Sequence, residues 1–217
     1  MDPFDFSALA HRREPPLDRL ALAIAAEFRD VDHERSLEAL DLMGTELLDR
    51  RAGSPEAEVE LCRRSVAERH GFAGAGDPYD DPGNSMLDLV LERRRGLPIL
   101  LSVIWVEVAR RAGIPLAGVG LPGHYVVGHF GAAPPLLVDP FAGGRHLEAR
   151  VAPALVRPWG PHETALRMLN NLVASYRTRG DIGAAIRAAG LRLELPLDER
   201  ARAALALELR SLESSLN

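Results

Sequence analysis

The chain has 217 residues, 47% of them apolar, 26% charged and 5% aromatic, with a formal charge of -5. That is ample for a packed core and too weakly charged for a disordered polyanion. The acidic balance excludes a nucleic-acid binder working through its overall field, because neutralising phosphates needs a basic face.

One cysteine, Cys62, excludes an internal disulfide framework and any multi-thiolate metal site. The start, Met1-Asp2-Pro3-Phe4-Asp5, lacks the basic and apolar regions of a signal peptide. The longest apolar stretch, around Leu97–Val106, falls well short of the ~20 residues a membrane span requires. A cytoplasmic protein is the expectation.

The first eighty residues read as helices. Leu17, Leu20, Ala21, Ile24, Ala25 and Phe28 recur at helical spacing, as do Leu37, Leu40, Met43, Leu47 and Leu48, then Val59, Cys62 and Val66. Cys62 shares a face with Val59 and Val66 and reads as a small core residue, with nothing nearby to make it a nucleophile. Gly71 to Gly83 reads as a turn-rich connection. Its acids Asp77, Asp80 and Asp81 lack the order of a calcium loop, and its glycines lack the spacing of a dinucleotide fingerprint.

Ser85-Met86-Leu87-Asp88 has the pattern of a capping box opening the next helix, which ends on Arg93-Arg94-Arg95 with Gly96 as the C′ glycine. Pro98 fits the first turn of a further helix reaching about Ala112. This helix is apolar nearly all round, so it is expected at the centre of the fold, with Ser102 and Glu107 as polar exceptions. Ser102 is expected to bond back within its own helix. After Pro115, the runs Val119-Gly120-Leu121, Tyr125-Val126-Val127 and Leu136-Leu137-Val138 read as short antiparallel strands. Helices resume near His162 and continue through an Asp198–Leu216 segment. Gly180 is expected to end one of them and Asp181 to cap the next.

Candidate chemistry gathers at three places: the helix entry at Gly96-Leu97-Pro98, the strand entry at Pro122-Gly123-His124, and Asp139-Pro140-Phe141. A cysteine-enzyme site needs a thiol at a helix N-terminus, a histidine base and an acid that orients the imidazole. A turn centred between Gly131 and Ala132 places His124 and Asp139 directly opposite on one face. A turn centred on Ala133 puts them on opposite faces. The plainer alternative for the pair is a structural hydrogen bond that holds the hairpin. A metal site from His124, His129, His146 and Asp139 is disfavoured, since His124 and His129 differ by an odd number along a strand.

The run Asp81-Pro82-Gly83-Asn84-Ser85, then Val90 to Ile99, then Pro122-Gly123-His124 and Asp139-Pro140-Phe141 with Gly143-Gly144, resembles the bacterial YchA-like, SirB-type family. That resemblance implies an α+β protein with three segments in one compact unit: a helical N-terminal region (1–76), a transglutaminase-like core with a small antiparallel sheet (77–157), and a helical, tetratricopeptide-like appendage (158–217). It also implies His124 as base and Asp139 as its acid. The nucleophile position falls on Pro98, fifteen residues before Gly113 of Gly-Ile-Pro. Asn84, Arg94 and Tyr125, within or beside these motifs, are the expected binding residues.

Because proline cannot attack, the leading expectation is a non-catalytic module that binds a protein or peptide, with no cofactor or metal and no nucleic acid or membrane partner. The competing expectation is a hydrolase or acyl-transfer enzyme using His124 and Asp139 with another nucleophile. Ser102, one turn deeper than Pro98, is a weak candidate because no nucleophile elbow surrounds it.

Overall fold

The computed structural model describes residues 2–48, 52–147 and 151–215. They form nine α-helices and six strands, besides a π-helical stretch at Arg63–Arg69 and 3-10 turns at Pro82–Ser85 and Pro153–Leu155. In chain order, α1 (Phe6–Ala10), α2 (Leu17–Ala26), α3 (His33–Leu48) and α4 (Pro55–Cys62) precede β1 (Ala73–Gly74), α5 (Leu87–Arg93), β2 (Arg95–Gly96) and α6 (Pro98–Arg111). The strands β3 (Leu116–Leu121), β4 (His124–His129), β5 (Leu136–Asp139) and β6 (Arg145–His146) follow, then α7 (Pro161–Thr178), α8 (Ile182–Arg192) and α9 (Glu199–Ser214). Leu216, the expected end of the last helix, lies outside the described residues. The architecture is α+β, and no helix among the described residues is long and apolar enough to cross a membrane.

Helix α6 lies at the centre. Ile99, Leu100, Leu101, Val103, Ile104, Trp105, Val108 and Ala109 are all buried, and α2, α3, α7, β3 and β4 pack around them. β3–β4–β5–β6 form an antiparallel meander. One hydrophobic cluster runs from Phe6 through α6 to Met168, Leu169 and Leu172 of α7 and on to Leu212 of α9, so the C-terminal helices share the core. Gly180 ends α7 in the left-handed region (φ +75°), and Asp181 caps α8 by accepting from the Ala184 N–H at 3.0 Å.

Three local expectations are corrected. The Gly71–Gly83 connection contains β1, which pairs in parallel with β2. That pairing changes the end of α5: Arg95 and Gly96 are extended as strand, so Arg94, not Gly96, takes the left-handed position (φ 58°). No capping box forms at Ser85. Pro82–Ser85 is a short 3-10 turn, Met86 occupies the cap, and the buried Ser85 hydroxyl has no partner among the described residues.

The C-terminal end of α6 carries charge into the interior. Glu107 accepts from Arg110 (2.8 and 2.9 Å) and from Arg111 (2.7 Å). Arg111 also donates to Asp18 of α2 at 2.7 Å and to Asp41 of α3 at 2.5 Å. Burial, together with the Asp18 charge, pushes the Glu107 carboxyl above its usual range, against the pull of the two arginines.

Arg111→Met removes one of the two guanidinium groups shared by Asp18 and Glu107, leaving Arg110 at 3.6 and 2.8 Å, and should cost about 1.5–3 kcal/mol near neutral pH. A carboxyl raised on folding contributes its stability fully below the ordinary carboxylate value and loses it as pH rises through the folded value. The deficit should therefore be smaller at about pH 4 than at about pH 8. Urea unfolding at the two pH values checks this, and equal deficits would contradict it.

Candidate functional site

The site begins at the α6 N-terminus. Leu97 is the N-cap residue and offers no side-chain oxygen; Pro98 follows at N1. The Leu97 N–H donates to the Asn84 carbonyl at 3.0 Å. Asn84 Nδ2 in turn donates to the carbonyls of Pro78 (3.1 Å) and Tyr79 (3.5 Å). Asn84 is thus a buried tie that sets the Tyr79–Asp80 loop against α6.

His124 enters β4 from a two-residue turn. Pro122 precedes Gly123 at φ +72°, and Leu121 pairs with His124 across the turn, the pattern of a type II turn with glycine third. The β4–β5 register pairs Val127 with Val138 and His129 with Leu136. The loop is therefore centred between Ala132 and Ala133, one residue beyond the same-face alternative and half a residue short of the other. Continued, this register sets Asp139 across from Val126, so Asp139 is diagonal to His124 on the same face. His124 Nε2–H donates to Asp139 Oδ2 at 2.8 Å, and Asp139 Oδ1 accepts the Phe141 N–H at 2.9 Å. The imidazole is oriented by Nε2, leaving Nδ1 without a partner among the described residues.

A cleft of about 220 Å³ is lined by Pro98 and His124, by Tyr79 and Asp80 from the loop, and by Arg167, Asn171 and Ala174 from α7. Tyr125 also lines it, although the ring is buried. The Thr164 hydroxyl donates to the Gly160 carbonyl at 3.0 Å, so the Tyr125 hydroxyl donates to Thr164 Oγ1 at 2.8 Å. Burial pushes the Tyr125 phenol up to about 12, which keeps that donor protonated.

No sequence motif marks Arg167, which lines the same cleft. Its Nη1 and Nη2 donate at 3.0 Å to the carbonyls of Leu121 and His124, and its guanidinium lies over the Tyr125 and Trp159 rings at 5.7 and 5.9 Å. Two glycines of β3 permit this stack: a Cβ on Gly118 would strike the Tyr125 hydroxyl at 2.2 Å, and one on Gly120 would strike the Trp159 ring at 2.0 Å. The available signal was a basic residue beside the buried positions Ala165, Met168 and Leu169 of α7.

Other candidates lie elsewhere. Arg94 is exposed at the end of α5 and, like Asn84, does not line the cleft. His129 is on the opposite face of β4: its Nδ1 accepts the Gly131 N–H at 3.2 Å, and its Nε2–H donates to Glu58 at 2.6 Å. His146 is exposed in β6, and no metal-holding group of three or more His, Cys, Asp or Glu occurs among the described residues. The Ser102 hydroxyl is buried with no partner among the described residues, contrary to the expected bond within its helix. Burial pushes the Cys62 thiol up to about 12, so it stays protonated.

A family model described as the transglutaminase-like superfamily matches residues 17–178. The UPF0162 protein of Pseudomonas aeruginosa is 32% identical over 234 residues, covering 96% of this chain and 84% of that one. The UPF0162 protein of Xylella fastidiosa strain 9a5c is 40% identical over 156 residues, or 64% of this chain; the chain spans only 56% of that relative's length. F-box only protein 21 of Mus musculus is 30% identical over 129 residues, which is 50% of this chain and 20% of that one. No solved structure matches the chain.

A thiol installed at position 98 would sit at a helix N-terminus that shares a cleft with an oriented imidazole, and both features favour thiolate. Pro98→Cys should therefore be alkylated by iodoacetamide with a midpoint below the ordinary thiol value of about 8.5, while Cys62 in the same protein reacts slowly. Adding His124→Ala should raise that midpoint. An ordinary midpoint, unmoved by His124→Ala, would contradict the geometry.

Proposed function

Because this chain belongs to the transglutaminase-like superfamily and, within it, to the UPF0162 proteins, we propose that it is a non-catalytic member whose cleft binds a peptide segment of a partner protein. The observation that carries this reading is Pro98 at N1 of α6, in one cleft with His124, whose imidazole is paired with Asp139. Proline has no side-chain heteroatom to activate, and as the N1 residue it has no N–H to offer an oxyanion. Losing a nucleophile costs several orders of magnitude in rate. Cys62 does not replace it: it sits at the end of α4, away from the cleft, as a protonated core residue.

The cleft suits a short chain segment. Its walls come from a loop, a helix entry, a hairpin and α7, and its size accommodates one or two side chains rather than a folded surface. On the resemblance to the SirB-type family, α7 and α8 form a tetratricopeptide-like unit that supplies one wall. Similar sequence occupies a fifth of the F-box chain, which fits a module used in different settings.

Immobilised protein should enrich a subset of a random-sequence heptapeptide pool, read by mass spectrometry. Ala174→Trp, which fills the cleft from an exposed α7 position, should abolish that enrichment without lowering the melting temperature. Equal enrichment by the variant, or none by the natural protein, would overturn the reading.

A further inference from the structure

We propose that the cleft holds a carboxylate subsite centred on Arg167, so that the bound segment is recognised through a peptide carboxyl group. This rests on the binding reading above and names the chemistry of what is bound.

Arg167 is the one charged group lining the cleft whose charge is not answered among the described residues. Asp80 at the rim is paired with Arg179 at 3.3 Å, and His124 with Asp139 at 2.8 Å. Glu163, one turn before Arg167 on α7, is held by Arg157 at 2.5 and 2.9 Å and by the Gly160 N–H at 3.1 Å. No carboxylate lies within ion-pair distance of Arg167 among the described residues.

The guanidinium is nevertheless fixed. Two of its N–H groups are committed to the Leu121 and His124 carbonyls, and its face rests on two aromatic rings. The remaining donors of the fork keep their capacity for a planar, two-oxygen acceptor. Holding an arginine this rigidly, half-buried and without a counter-charge, leaves a preorganised positive site.

Its surroundings add a donor: Asn171, one turn further along α7, presents an amide with no intramolecular hydrogen bond among the described residues. The first turn of α6 has no side-chain cap, and Ile99 of that turn lines the cleft. These groups favour an anion of carboxylate size. The carboxylate can be the C-terminus of a peptide or an Asp or Glu side chain.

The test has two arms. In the first, N-acetylglycine and N-acetylglycinamide are titrated while the Trp159 indole and His124 ring signals are followed by NMR. The acid should shift both signals and the amide should not. Asn171→Asp, which places a counter-charge one turn from Arg167 with little disturbance of packing, should weaken acid binding at least about tenfold. Arg167→Lys should retain a measurable part of it. Equal responses to acid and amide, or acid binding unaffected by Asn171→Asp, overturn the proposal.

In the second arm, heptapeptide pools end in a free acid or an amide, each made with and without Asp and Glu. Enrichment that tracks the terminal acid or the acidic side chains supports the proposal and identifies the source. Enrichment indifferent to both overturns it while leaving peptide binding intact. Acid binding in the first arm with no peptide enrichment in the second leaves the carboxylate subsite standing and removes the peptide reading instead.

Discussion

The structure depends on one constraint: α6 can be buried on every side only if its two ends are resolved locally. A helix in an apolar core leaves unpaired N–H groups at one end and unpaired carbonyls at the other. At the C-terminal end the Ala109 and Arg110 carbonyls accept from the Ile114 (2.9 Å) and Gly113 (3.1 Å) N–H groups, and the Glu107 carbonyl accepts from Arg111 (3.1 Å). Arg110 and Arg111 also answer the Glu107 carboxylate, and Arg111 reaches across to Asp18 and Asp41. That network anchors α6 to α2 and α3. The N-terminal end is resolved differently. Pro98 removes one N–H, and the rest of the first turn has no side-chain cap and opens at the cleft.

Fixing α6 fixes the site. β3 and β4 lie against the same helix, so the Pro122–Gly123 turn delivers His124 to the α6 entry, and the β4–β5 register delivers Asp139 to His124. Chain topology thus holds a hydrogen-bonded histidine–aspartate pair beside a helix N-terminus occupied by proline. On the binding role proposed above, that positional accuracy serves recognition. α7 completes it, because Arg167 clamps the β3–β4 turn by its carbonyls and stands over the bed that Gly118 and Gly120 leave for two aromatic rings.

Much of this was legible because it rests on local rules. The continuous apolar run after Pro98 marked α6 as central, and Gly180-Asp181 marked a helix end and a cap. What was not legible depends on pairing at a distance. The β4–β5 register is set by a loop whose centre a sequence does not fix, and it came out between the two alternatives considered. Gly96 satisfies the local rule for ending a helix, yet β1 required it as strand, and Arg94 took the left-handed position. Ser85 likewise had the sequence of a cap and no helix turn to serve. Arg167 belongs to a different class of omission: its role comes from the Leu121 and His124 carbonyls and the Tyr125 ring, more than forty residues away in the chain, and from Trp159 on a glycine-cleared sheet surface, none of which leaves a periodic signature.

The central claim is that an oriented histidine and aspartate persist here without catalysis. The most direct measurement is turnover of a chemically broad set of amide and ester substrates by the natural protein and by His124→Ala, both shown to be folded. The account predicts no hydrolysis or acyl transfer above background for either protein. Robust turnover by the natural protein that His124→Ala abolishes would contradict it.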